Sequence, residues 1–151
     1  IDASGVTAIT AGTADDVVVL IDDSTVTLAS DVDVTVTGTA AATDLTTIAN
    51  ATSGTITVSG VTNITGTAAA IMAAHDNGEL GTIDTDFTVT VTGTAAATDL
   101  TAIAAATSGT ITASGVTTIT GTATAIMAAH DDSAELSSID TDFAATVTGT
   151  A

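Results

Sequence analysis

Apolar and polar residues alternate at 87–92, where Phe87, Val89 and Val91 interleave with Thr88, Thr90 and Thr92. A period of two predicts a half-buried strand with Thr outward, and Val and Thr are both good strand formers. Ile56 and Val58 alternate with Thr55 and Thr57 in the same way. Gly60 after Ser59, like Gly115 after Ser114 and Gly5 after Ser4, predicts a bulge or bend before the apolar positions resume. Past each Gly-Thr the period lengthens to that of a helix. Leu45, Ile48 and Ala49 share one helical face, with Thr43 as the expected cap and Asp44 in the first turn, where the helix dipole favours it. Asn50 to Ser53 and Gly54 should end that helix. A second helix is predicted over 68–76, capped by Thr67 and stopped at Asn77 and Gly78, with Ile71, Met72 and His75 on one side.

These elements recur. The phrase Val-Thr-Gly-Thr-Ala-Ala-Ala-Thr-Asp-Leu occupies 36–45 and 91–100, and its first five residues return at 147–151. Ile-Thr-Gly-Thr-Ala falls between the copies, at 64–68 and 119–123. The resulting units are 9–35, 36–63, 64–90, 91–118 and 119–146, each of 27 or 28 residues, with partial units at 1–8 and 147–151. Two kinds alternate, so the true period is a double unit of 55 residues from Val36 to Val91. A fixed period in this range signals solenoids or arrays. The expected fold is a single α/β solenoid over 1–151, each coil a strand plus a short helix, with an all-β solenoid as the alternative.

The first full unit departs from the pattern. At 15–23 a run of Val, Leu and Ile between acid pairs replaces the Ala-rich helix, and it fits a strand and a degenerate helix equally. The chain opens on Ile1 with no Met, leader or capping segment, which predicts a piece of a longer protein. The copy that stops at Ala151 predicts that something else covers that end.

Composition narrows the function. There is no Lys or Arg against 18 Asp and Glu, for a formal net charge of −18. Phosphate binding runs on Lys and Arg, so nucleic acid is not an expected partner. An anionic membrane surface is disfavoured for the same reason, and no apolar run is long enough to span a bilayer. Such a charge repels itself, and screening salt or divalent cations relieve it, which points to an extracellular or cell-surface setting. With 45% apolar residues the chain is not expected to be disordered. Cysteine is absent, so neither disulfides nor thiol chemistry arise.

Candidate chemistry is sparse. Asp84 and Asp86, with Asp140 and Asp142 one double unit later, flank a Thr just before a strand, and Asp31 and Asp33 stand comparably. Carboxylates on adjacent coils are candidate calcium ligands, because calcium takes about six to eight oxygens. The same residues also fit solvated turns and strand-edge charges. His75 and His130, each followed by Asp, are expected at helix C-termini, where the dipole favours imidazolium, rather than as a shared metal site. No Gly-x-Ser-x-Gly elbow occurs and no Tyr or Trp is present to stack a sugar, so an enzyme is not expected.

The phrases at 36–45, 113–123 and Ile-Asp-Thr-Asp-Phe at 83–87 and 139–143 resemble tandem repeats of very large secreted surface proteins of cyanobacteria and other aquatic bacteria. The resemblance covers the chain apart from 15–31 and implies an adhesin, surface-layer or matrix role. Those proteins often also carry calcium-binding nonapeptide repeats, whose Gly-Gly-x-Gly-x-Asp signature is absent here. The Thr-x-Thr ranks resemble the ice-binding face of some β-solenoid antifreeze proteins. The function expected from these features is an extracellular structural protein that stacks head to tail on copies of itself, with a calcium-dependent or ice-binding adhesin module as the alternative.

Overall fold

The computed structural model describes residues 1–81, 83–131, 136–137, 139 and 142–149. Among them strands and helices alternate: β1 (Asp2–Ala3), β2 (Ala8–Gly12), α1 (Ala14–Asp22), β3 (Thr27–Leu28), β4 (Asp33–Ala41), α2 (Ala42–Ala51) and β5 (Ile56–Gly66) come first. They are followed by α3 (Ala68–His75), β6 (Thr88–Ala96), α4 (Ala97–Ala106), β7 (Ile111–Gly121), α5 (Ala123–Asp131), β8 (Leu136–Ser137) and β9 (Ala144–Val147). The chain divides into two compact units, Ile1–Asn63 with Ala73–Asp84 and Ile64–Met72 with Thr85–Ala151.

In the first unit the strand order is β2-β4-β5. Ala8 pairs with Asp33 and Thr10 with Thr35 in parallel register. β5 advances beside β4 in the same sense: the Val34 N–H donates to the Thr55 carbonyl at 2.9 Å, and further along Gly60 lies against Val36 and Thr37. β1 and β3 form a separate parallel pair. In the second unit β6 pairs with β7, and β7 pairs in turn with β8 and β9, all parallel. Parallel neighbours need a long crossover, usually a helix, and each repeat supplies one.

This overturns the expected solenoid. The chain is an α/β protein of parallel strands with five helices among the described residues, and no closed coil is formed. The 27- to 28-residue period is real, but it measures one strand plus its crossover helix. Gly-Thr hands the backbone from strand to helix, and the helix hands it to the next strand, with no further side to complete a turn. The helices likewise exclude the all-β alternative.

The two kinds of repeat make that handover differently. In one, Gly38 and Gly93 stand inside a strand at φ 78° and 77°, a left-handed conformation that favours Gly, and the strand runs on to Ala41 or Ala96. The helix then starts at Ala42 or Ala97 with no side-chain cap, so Thr43 lies inside α2 rather than capping it, while Asp44 does sit in the first turn. In the other, β5 and β7 end at Gly66 and Gly121, and the next residue caps. The Ala70 N–H donates to Thr67 Oγ1 at 3.3 Å and the Ala125 N–H to Thr122 Oγ1 at 3.2 Å. The divergent run at 15–23 is helical through Asp22, with Asp23 as the C-cap of α1. Its start carries a capping box in which Asp16 and Thr13 satisfy each other's backbone N–H groups.

The core follows the alternation. α2 packs on β4 in the first unit and α4 on β6 and β7 in the second, and Val34, Val36, Leu45, Ile48, Val89, Val91, Leu100, Ile103 and Ile111 of these elements are essentially buried. α1 packs on α2 and α4 on α5, with Ala42, Ala49, Ala97 and Ala104 buried along the short helices. The opposite face of each strand carries Thr: Thr88 and Thr92 are exposed and Thr90 partly so. At Ser114 and Gly115 the expected bulge is present. Val89 pairs with Ile111 but Ala96 with Thr120, so β7 spends two more residues than β6 over the same length.

Candidate functional site

One motif joins the repeats and was legible only as a helix stop. Thr52, Ser53 and Gly54 follow α2, and Thr107, Ser108 and Gly109 follow α4 in the same conformation. Thr52 Oγ1 donates to the Val32 carbonyl at 2.6 Å and accepts the Gly54 N–H at 3.0 Å. Thr107 repeats this on the Phe87 carbonyl at 2.5 Å and the Gly109 N–H at 2.9 Å. The Ser53 N–H donates to the Ser30 carbonyl and the Ser108 N–H to that of Thr85. The glycines serve close approach, not a left-handed turn. A Cβ on Gly54 would lie 2.4 Å from the Val32 carbonyl oxygen, and one on Gly109 2.3 Å from that of Phe87. The two threonines are the buried polar residues among those described, and both are satisfied. The identical Thr-Ser-Gly copies were the signal for this clasp.

The acidic candidates lie at the surface. Asp84, Asp86 and Asp142 are exposed, and Asp140 lies outside the described residues. Among the described residues no three His, Asp or Glu side chains gather within reach of one metal ion. Asp33, at the start of β4, links to the segment before β5, its Oδ1 accepting the Thr55 N–H at 2.7 Å. Two other carboxylates sit below the usual range. Asp23 is held there by the Thr25 hydroxyl and then by its N–H, and Asp2 by the Ser4 side chain and then its N–H. His75 and His130 occupy the last turns of α3 and α5, each beside its own Asp, with Nδ1 to carboxylate distances of 3.0 Å to Asp76 and 3.7 Å to Asp131.

A cavity of about 360 Å³ opens beside the C-terminal end of α1, lined by Ile21, Val26, Leu28 and Val32 among others. Val32 is the repeat counterpart of Phe87, since both offer their carbonyls to the same Thr and Gly. Val32 lines the cavity with a smaller side chain than the buried Phe87 of the other repeat.

The sheet edges differ most from the repeat interior. Val147 is 60% exposed, whereas its counterparts Val36 and Val91 are 0% exposed. At the other edge Ile1 is 84% and Val6 40% exposed, against 3% and 2% for Ile56 and Val61 and 0% and 1% for Ile111 and Val116. Among the described residues β2 pairs with β4 and β9 with β7. Asp2 lies on β1, and no acid lies between Asp2 and Asp15 or after Asp142.

No helix among the described residues is long and apolar enough to cross a membrane. No known protein family, curated protein or solved structure matches the chain.

Proposed function

We propose that the protein is an extracellular structural protein that associates with copies of itself, edge to edge, into a filament, sheath or matrix fibre. One observation carries the reading: near-identical strand-plus-helix repeats add parallel strands one after another within each compact unit, an arrangement that further copies can extend. An unpaired strand is a template for another, and a head-to-tail contact that does not close on itself generates a filament. The acid-only surface agrees with a saline medium, where screening lets such molecules approach. The likeness of the repeats to secreted surface proteins of aquatic bacteria agrees with the same setting. Calcium bridging between carboxylates such as Asp84 and Asp86 would add to screening.

Electron microscopy of the purified chain in salt, with calcium and with a chelator, tests this. Filaments are expected. Discrete particles in every condition would reject the filament, and filaments indifferent to chelation would reject only the calcium bridge.

The Thr face supports a second reading. Thr10 pairs with Thr35 and Thr90 with Thr112, so hydroxyls line up across strands in both units. A flat hydroxyl array suits an ice surface. Thermal hysteresis in the purified protein would favour it, and its absence would remove it.

A further inference from the structure

We infer that the cavity beside α1 is a binding site for a small, neutral, two-ring aromatic molecule, held between the C-terminal end of α1, the segment 26–32 and the end of α2. The site lies within the first compact unit and does not depend on self-association. Ile21, Val26 and Leu28 line it and are partly exposed, while Val32, also in the lining, is buried.

The repeats show what sets this place apart. Two fixed points align them: the capping residues Thr13, Thr67 and Thr122, and the Ser30 and Thr85 carbonyls that accept the Ser53 and Ser108 N–H groups. Counting on from the caps, Ile21 stands where α3 and α5 carry His75 and His130. Counting from the carbonyls, Ala29 stands where the other repeat has Asp84, and Val32 where it has Phe87. A carboxylate, an imidazole and a phenyl ring are thus all replaced by aliphatic side chains at positions that line one cavity. The exchanges reduce the bulk at 29 and 32 and leave no group there that ionises.

Size and charge select the ligand. A volume of about 360 Å³ is more than twice the roughly 150 Å³ of an apolar cavity that holds benzene, so two rings fit. It also falls among the pockets that take small molecules. No lining residue is charged, although the chain carries a formal −18. A cation finds no carboxylate in the lining to offset its desolvation, and an anion is repelled by the chain as a whole, so a neutral molecule is favoured. An aromatic one matches because the phenyl ring of Phe87 is buried at the counterpart of Val32. Thr27 and Ser30, both exposed, bring hydroxyls to the lining and suit a ligand with one polar substituent.

Naphthol is the probe, and with no Trp or Tyr in the chain its fluorescence is read without protein background. The wild type is expected to bind one naphthol per chain, saturably, and to bind naphthalenesulfonate about tenfold or more weakly in low salt. Ala29→Asp and Val32→Phe restore the residues of the other repeat, and each should weaken naphthol binding about tenfold or more. The methyl NMR signals of Ile21, Val26 and Leu28 should shift as naphthol is added to the wild type, which locates the ligand without any variant. Naphthol that fails to saturate, that binds both variants as tightly as the wild type, or that leaves those methyl signals unmoved would overturn the site. Tighter binding of the sulfonate than of naphthol would overturn the neutral class. None of these outcomes bears on self-association, which sedimentation reads separately.

Discussion

Thr107 holds two repeats together through a single oxygen, which donates to the Phe87 carbonyl at 2.5 Å while accepting the Gly109 N–H at 2.9 Å. Replacing it by Val keeps the shape and removes the oxygen. Thr107→Val leaves a buried carbonyl and N–H without this partner and should cost about 1–3 kcal/mol. Thr107→Ser should recover most of that loss. Thermal or denaturant unfolding reads both, and equal stability of all three proteins would refute the clasp.

Gly109 is predicted to be intolerant for a different reason. Gly109→Ala puts a methyl 2.3 Å from a backbone oxygen, which must move. A loss of roughly 1–3 kcal/mol is expected, as for overpacking a fixed site. Gly78→Ala meets nothing within 4 Å and should change stability by less than about 0.5 kcal/mol. The contrast between the two is the measurement.

The cavity beside α1 should accept the ring found in the other repeat. Val32→Phe introduces the counterpart of Phe87 into about 360 Å³ of space. A gain of about 0.5–2 kcal/mol is expected, typical of cavity filling. A loss would mean that the backbone around Val32 does not accept the ring as that around Phe87 does.

How far the fold could be read from the chain differs by element. The alternation at 87–92 gave β6 and its buried face, and Thr67 gave the start of α3, because period and cap are local signals. α1 was undecided because Val17, Val18 and Val19 favour strands, yet the Thr13 and Asp16 capping box fixes the helix. Thr43 failed as a cap because β4 runs straight into α2. The period specified the length of a unit but not whether it closes, so a strand with its crossover helix read as a coil. Val147 is exposed while Val91 is buried, in keeping with the repeat copy that stops at Ala151 before the counterpart of α4.

Charge should govern stability. With −18 formal charges and no Lys or Arg, added sodium chloride is expected to raise Tm by screening self-repulsion. Asp23 has a further pH signature. Its carboxyl is held below the ordinary value, so the stabilisation it contributes is present above the unfolded pKa and is lost as pH falls through the folded one. The stability gap between the wild type and Asp23→Ala should therefore be full at neutral pH and close in acid. A gap that widens on acidification would contradict the assignment.

Val147 is the most direct handle on self-association, because it lies exposed on the outer strand and a charge there leaves the core untouched. Sedimentation velocity of the wild type and Val147→Asp, over a range of protein concentrations in high salt, compares the two edges. The wild type should form growing oligomers while Val147→Asp remains monomeric with unchanged Tm. A monomeric wild type, or a Val147→Asp variant that associates just as well, would contradict assembly through this edge.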